Sequence, residues 1–373
     1  MHFGAWESWK IRLGSVLWFV LGLGFLLSLP IIFGWAARAF IIVLVAAALL
    51  ALPTAWFAGL VTSRDHHPAF SRRWLKTGLA WLFVLSILVA APIYYLATVT
   101  ELRPTLVPQA TLTNGKKTVV FQGMMHIGSE NFYKSVIYDV EKALSEGYVV
   151  YYESVQTETP ESKEFFAKLS AALTGGADLS ANYELLAQVC GLKFQSDYFV
   201  LLEADKKVNP QRHVIADVDA IELKHEYEHL MRTDAAFARA HANDFKLQPQ
   251  AVPIDAALMQ NAINWIGSES ESRKSLVGVI CRGYMTILLT AETEKQPGPF
   301  APLILDFRNR ALAKRIVEDP RDKIFITYGS HHLSGVLDLL MKQDPAWKIG
   351  SLKWIWTIEV PRRQFPGKLG TQR

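Results

Sequence analysis

Two histidines follow strand-like runs at the same distance from a glycine, far apart in the chain. In VVFQGMMHIGS (119–129) His126 stands three residues after Gly123, and in ITYGSHHLSG (326–335) His332 stands three residues after Gly329. A third apolar run, YVVYY (148–152), is followed at once by Glu153. Two neutral imidazoles and a carboxylate form a three-ligand set suited to a divalent Zn, Mn, Co or Fe ion, with positions left for water. Water on such an ion becomes a nucleophile near neutral pH, and the ion can polarise a carbonyl. Arg308, beside Asn309 in LILDFRNRALAKRIVED (303–319), could stabilise the oxyanion formed by attack. A glycine at each turn permits positive φ and close backbone approach. One such turn is a weak signal, because loop histidines are common; the combination carries more.

These residues need a scaffold that brings them together. TVVFQ (118–122) reads as a strand, and Phe132, Val136, Val140 and Leu144 then recur on one face of a helix that Ser129 can cap and Gly147 can end. With YVVYY this is strand, helix, strand, the size of a βαβ unit, whose strands run parallel. Parallel strands end on the same sheet edge, where open α/β sheets place their sites. His126 and Glu153 should therefore share one rim. KIFITY (323–328) would add His332 to it, and the helix ahead of that strand would bring Arg308 and Asn309. HVIADVD (213–219) reads as another strand, with Asp217 and Asp219 near its end. The stretches 154–210 and 220–300 read as helical insertions or a cap over the sheet. Residues 101–117, with two prolines and Asn114-Gly115, read as a linker.

GMMHIG, YYESV, FRNRALAKRI and YGSHHLSG, in this order, resemble the TraB/Tiki superfamily (TraB/GumN-like), and more distantly the erythromycin esterase and ChaN-like proteins. The resemblance covers about residues 115–360. It implies an α/β domain whose motif positions, here His126, Glu153, Arg308, Asn309 and His332, gather in one pocket, as in a metal-dependent peptidase or esterase-like hydrolase. Other relatives of that group bind haem or restrain a peptide, so a binding protein without turnover is the alternative. Ser334 stands where many members carry proline, His331 adds a second imidazole, and Met124 and Met125 are bulkier than usual in the first turn. Adjacent side chains alternate on an extended stretch, so His331 is expected to point away from His332.

A competing pattern lies in KHEYEHL (224–230), where His225, Glu226 and His229 match the zincin HExxH spacing on one helical face. A zincin needs a third ligand downstream. Arg232 occupies the position where the metzincin extension wants glycine, and His241 and Glu269 are badly spaced substitutes. An exposed, charged helix accounts for the same residues.

The chain has 373 residues, half of them apolar, and the apolar ones cluster. Leu13–Ala37, Ala39–Ser63 and Thr77–Thr100 contain no Asp, Glu, Lys or Arg, and each is long enough to cross a bilayer as a helix. Lys10, Arg12, Arg64, Arg72, Arg73 and Lys76 lie on one side of these spans, which the positive-inside rule assigns to the cytoplasm. The expected layout is a three-span anchor (1–100), a linker (101–117), an α/β domain (118–360) with a mixed, largely parallel sheet and helical insertions, and a basic tail (361–373). The domain would stand on the periplasmic or other extracytoplasmic side of a bacterial inner membrane. The lipid bilayer is then one partner, and a peptide or ester the substrate. A net charge of +4 gives no case for nucleic acid. Cys190 and Cys281 lack metal-type spacing; they could pair in an oxidising compartment or remain buried thiols.

Overall fold

The computed structural model describes residues 5–61, 69–174, 179–243, 261, 264–293 and 298–360. The basic tail 361–373, Arg64 and the rest of 62–68 lie outside the described residues. The chain divides into two compact units, Met1–Val99 with Ser268–Gly283, and Thr100–Gly267 with Tyr284–Arg373.

The first unit holds three long helices, α1 (Ala5–Trp35), α2 (Ala37–Val61) and α3 (Phe70–Leu102). Each contains a stretch long and apolar enough to cross a membrane, at Ile11–Trp35, Ala37–Leu60 and Phe70–Leu102. Their outward faces expose Phe19, Ile42, Leu49 and Leu88, while small residues such as Ala47, Ala51 and Ala55 are buried. This is the packing of helices in lipid, where small side chains let backbones approach. Phe25 stacks on Phe83 at 4.7 Å, and the Tyr94 hydroxyl donates to the Leu27 carbonyl at 2.7 Å. Residues 268–283, expected as part of a cap over the sheet, cluster instead with these helices. The Arg273 guanidinium donates to the Trp35 carbonyl there.

The second unit is built on a six-stranded sheet in the order β6-β4-β7-β2-β1-β8. The strands are β1 (Leu106–Thr113), β2 (Thr118–Met124), β4 (Val149–Tyr152), β6 (His213–Ile215), β7 (Lys323–Gly329) and β8 (Lys348–Trp356); the short β3 (Ile127–Gly128) and β5 (Lys193–Phe194) pair separately. β2, β7, β4 and β6 are parallel, whereas β1 and β8 run antiparallel to their neighbours. The expected strand–helix–strand unit is present, as β2, α4 (Glu130–Ser145) and β4. Its two strands are not neighbours, however, because β7 pairs between them.

The segment expected as a linker is the largest correction. Residues 106–113 form β1, with Val107, Ala110 and Leu112 buried in the sheet. The Asn114-Gly115 turn, Gly115 at φ 86°, closes a hairpin to β2 rather than punctuating a tether. Pro108 obscured the apolar alternation that its neighbours carry.

Helices cover both faces of the sheet. On one side α4 packs Phe132, Val136, Val140 and Leu144 against Val150 and Phe325. On the other, the Arg308–Glu318 and His332–Gln343 helices bring Leu312, Ile316, Val336 and Leu340 onto Phe121, Tyr151, Ile326 and Tyr328. A third apolar cluster, with Phe165, Leu169, Leu223, Tyr227, Phe237 and Leu303, joins the inserted helices.

Candidate active site

Each of the four parallel strands delivers one polar side chain to the sheet's carboxyl edge. The register sets the strand ends level, pairing Met124 with Gly329 and Tyr152 with both Thr327 and Ile215. His126 follows β2 by two residues, Glu153 follows β4 directly, Asp217 follows β6 by two, and His332 follows β7 by three. Arg308 and Asn309 open the helix Arg308–Glu318, directly after a π-helical segment Pro302–Phe307. Such π segments often occur at functional sites. The structure thus brings His126, Glu153, Arg308, Asn309 and His332 to one rim.

Arg308 ties the cluster together. Its Nε donates to Asp217 Oδ1 at 2.9 Å, and its Nη2 donates to Asp217 Oδ2 at 2.5 Å and to Glu153 Oε1 at 2.6 Å. The other Glu153 oxygen accepts the Gly329 backbone N–H at 2.5 Å. The Arg308 and Asp217 side chains are buried, and Glu153 retains partial access to solvent. Desolvation works against the Arg308 charge, but the Asp217 hydrogen bonds and the Glu153 and Asp217 charges outweigh it and raise its pKa.

His332 is the buried imidazole of the pair. Its Nδ1 lies 2.7 Å from Asn309 Oδ1, which fixes Nδ1 as the donor and leaves the Nε2 lone pair free, 3.8 Å from Glu153 Oε1. A Cβ at Gly335 would overlap the Asn309 amide nitrogen, so glycine there lets Asn309 reach the histidine. Burial first, and then the Arg308 charge, lowers the His332 pKa to about 4, so the ring is neutral at physiological pH. His126 differs. It is solvent-exposed, its ring stacks on Tyr183 at 4.6 Å, and Gln195 Nε2 donates to its Nδ1 at 3.0 Å. Desolvation by the surrounding protein lowers its pKa even though the residue keeps exposed surface, and it is near enough to Glu153 and Arg308 to feel both charges.

The glycines act differently from expectation. Neither Gly123 nor Gly329 has positive φ; that conformation occurs at Gly115, Gly147 and Gly191. Gly123 is needed for close approach, since a Cβ would lie 2.9 Å from the Pro108 carbonyl and 3.1 Å from the Ser330 Cβ. A Cβ at Gly329 would sit 3.4 Å from Glu153 and His332, an ordinary contact. His331 is exposed and points away from the buried His332, but the backbone there is helical, at φ −68° and ψ −16°. Their divergence is the helical rotation between neighbours, not strand alternation.

The expected metal set does not fit this arrangement. With Nδ1 accepting from Gln195, a neutral His126 carries its proton on Nε2 and offers neither nitrogen to an ion. Both Glu153 oxygens already accept hydrogen bonds, one from a guanidinium. Of the three side chains, His332 Nε2 is the ligand atom with no hydrogen bond to a described residue. Among the described residues no group of three His, Cys, Asp or Glu is placed to hold an ion.

The HExxH residues lie elsewhere. His225 and His229 are exposed on the helix Ala220–Thr233, which Asp219 caps, and Glu226 forms an ion pair with Arg310 at 2.6 Å. Two participants escaped assignment from sequence. Asp217 was visible at a strand end, but nothing in the sequence linked it to Arg308. Tyr328, the last apolar residue before Gly329, is fully buried with its ring edge-on to His332 at 4.9 Å and 5.3 Å from the Arg308 guanidinium carbon. Its hydroxyl is buried near the Asp217 carboxylate.

Neither cysteine is a free thiol; both are disulfide-bonded. In comparison with known proteins, the chain matches no family model, no curated protein and no solved structure.

Proposed function

We propose that the protein is a membrane-anchored hydrolase of peptide or ester bonds whose site faces away from the cytoplasm. The observation that carries this reading is the neutral His332, held by Asn309 through Nδ1 with its Nε2 lone pair beside Glu153. A base positioned in this way can take a proton from water as the water attacks a carbonyl. The developing oxyanion meets the Arg308 guanidinium, whose Nη1 makes no hydrogen bond to a described residue. His332 then returns the proton to the leaving amine or alkoxide, and the second product is a carboxylic acid. Glu153 and Asp217 hold the guanidinium in place, and Glu153 favours the imidazolium formed in transit. A metal remains part of the resemblance to the TraB/Tiki superfamily, but no step here needs one.

The basic residues flanking the spans support a cytoplasmic N-terminus, and three crossings would place the α/β domain outside. Disulfide-bonded cysteines suit an oxidising compartment. A second reading, a peptide-binding protein without turnover, draws on the pairing of Arg308 with two carboxylates, which offsets its charge. Incubation of the purified full-length protein with peptide and ester libraries, with and without chelator, separates the two. Turnover abolished by His332→Ala supports the hydrolase; saturable binding without product supports the binding protein.

A further inference from the structure

β8 closes one side of the sheet and, among the described residues, pairs with β1 alone. An edge strand is usually short or polar, yet this one ends in Leu352, Lys353, Trp354, Ile355 and Trp356. Leu352, Trp354 and Trp356 alternate, so they share one face. They are 46%, 58% and 41% exposed. The register sets Trp356 opposite Leu106, itself 39% exposed, and Trp354 opposite Pro108, so Leu106 belongs to the same face. Two exposed tryptophans joined by two exposed leucines form a contiguous apolar patch of the kind that marks an interaction surface.

The chain itself indicates what covers it. Only Arg103, Pro104 and Thr105 separate the end of α3 at Leu102 from the start of β1 at Leu106. Four residue steps span at most about 14 Å. Glu101 is the first charged residue after Lys76, so the apolar part of α3 ends within a turn of Leu102. The headgroup layer beyond the hydrocarbon core is itself roughly 5–7 Å deep on each side. The Leu106 end of β1, with Trp356 opposite it, therefore starts within about 14 Å of the end of the span, close enough to reach the headgroups. Tryptophan is enriched at that level because its ring is apolar and its N–H needs a polar partner. Arg103 is exposed in the connecting segment, where it can meet lipid phosphates. Lys348 and Lys353 on β8 are exposed as well, and edge lysines oppose pairing with a second sheet.

We propose that the Leu106–Leu352–Trp354–Trp356 face is a membrane-docking surface that rests on the bilayer interface. This assignment is independent of the hydrolase reading, because none of these residues belongs to the carboxyl-edge site.

The test uses the full-length protein reconstituted in liposomes of phosphatidylcholine, with or without bromine on the acyl chains near the headgroups. Tryptophan emission is compared between the wild type and a Trp354→Phe/Trp356→Phe variant, which keeps aromatic side chains at both positions. The emission that the two tryptophans contribute, taken by difference, should lose most of its intensity in the brominated liposomes. A difference emission unchanged by bromine would overturn the proposal, whether the tryptophans then proved open to aqueous acrylamide or shielded by a second copy of the chain. Circular dichroism of the variant confirms that both proteins are folded when compared.

Discussion

Removing the Arg308 guanidinium should cost more stability than any other single change at the site. Arg308→Met keeps an unbranched stem of similar length but deletes three hydrogen bonds, two of them to Asp217. The Asp217 side chain has no solvent exposure, so its carboxylate would be stranded in the interior. Breaking a buried pair by removing one partner costs about 3–5 kcal/mol. Glu153 adds little to that figure, because it keeps solvent access and the Gly329 N–H. A domain of this size loses roughly 2–4 °C in melting temperature per kcal/mol, so the expected drop is roughly 6–20 °C.

The assay is thermal unfolding of the full-length protein in nanodiscs, followed by near-ultraviolet circular dichroism. The companion variant Arg308→Met/Asp217→Asn removes the stranded charge and retains an acceptor for the Val218 N–H, which Asp217 Oδ1 bonds at 2.9 Å. It should recover part of the loss, with a coupling energy of about 0.5–3 kcal/mol between the two positions. A single variant that loses less than about 1 kcal/mol, or two substitutions whose effects simply add, would refute the view that Arg308 neutralises a buried carboxylate.

Gly335→Ala should displace Asn309, free the His332 ring and reduce kcat at least as much as it raises KM, whereas Gly329→Ala, whose Cβ fits, should leave turnover within a few-fold of wild type; parallel kinetics on the two variants check this. His225→Ala with His229→Ala should change neither stability nor turnover, because both rings are exposed; a loss of activity with an intact fold would restore the HExxH reading. The depressed His332 pKa has a definite sign: the unfolded chain binds a proton near pH 6.5 that the native state refuses until about pH 4, so stability should fall as pH falls through that window. Urea titrations between pH 7 and 4 should show a slope that weakens in His332→Gln. Alkaline phosphatase fused after Leu102 should be active in a bacterial host, and a fusion active only with a cytoplasmic reporter would reverse the proposed orientation.

Much of the scaffold could be read from periodicity alone. The Phe132–Val136–Val140–Leu144 stripe specified α4, and the charge-free runs specified the three long helices, because helical spacing and length are local properties. β1 was lost for an equally local reason. A proline within a strand normally argues against a central position, and Pro108 sits between β2 and β8. What redeems it is non-local: Trp354 opposite, and a Gly123 bare enough for the Pro108 carbonyl to approach. The order of the strands was also hidden, since nothing within residues 119–152 reveals that β7, nearly two hundred positions later, will pair between the first two.

The same division runs through the site. Strand ends are visible in sequence, and parallel strands oblige their ends to share an edge, so His126, Glu153 and His332 could be placed together before any geometry was known. Which atoms face each other depends on the side chains between them. Arg308 was assigned to an oxyanion and Glu153 to a metal, yet the two bind each other, because Asp217 alone cannot use all the donors of a buried guanidinium. Once Glu153 is engaged, the imidazole beside it is left as the free base. The proposed chemistry thereby shifts from a metal-bound water toward proton transfer at His332. That shift turns on Asp217, a residue whose position at the end of β6 was legible and whose partner was not.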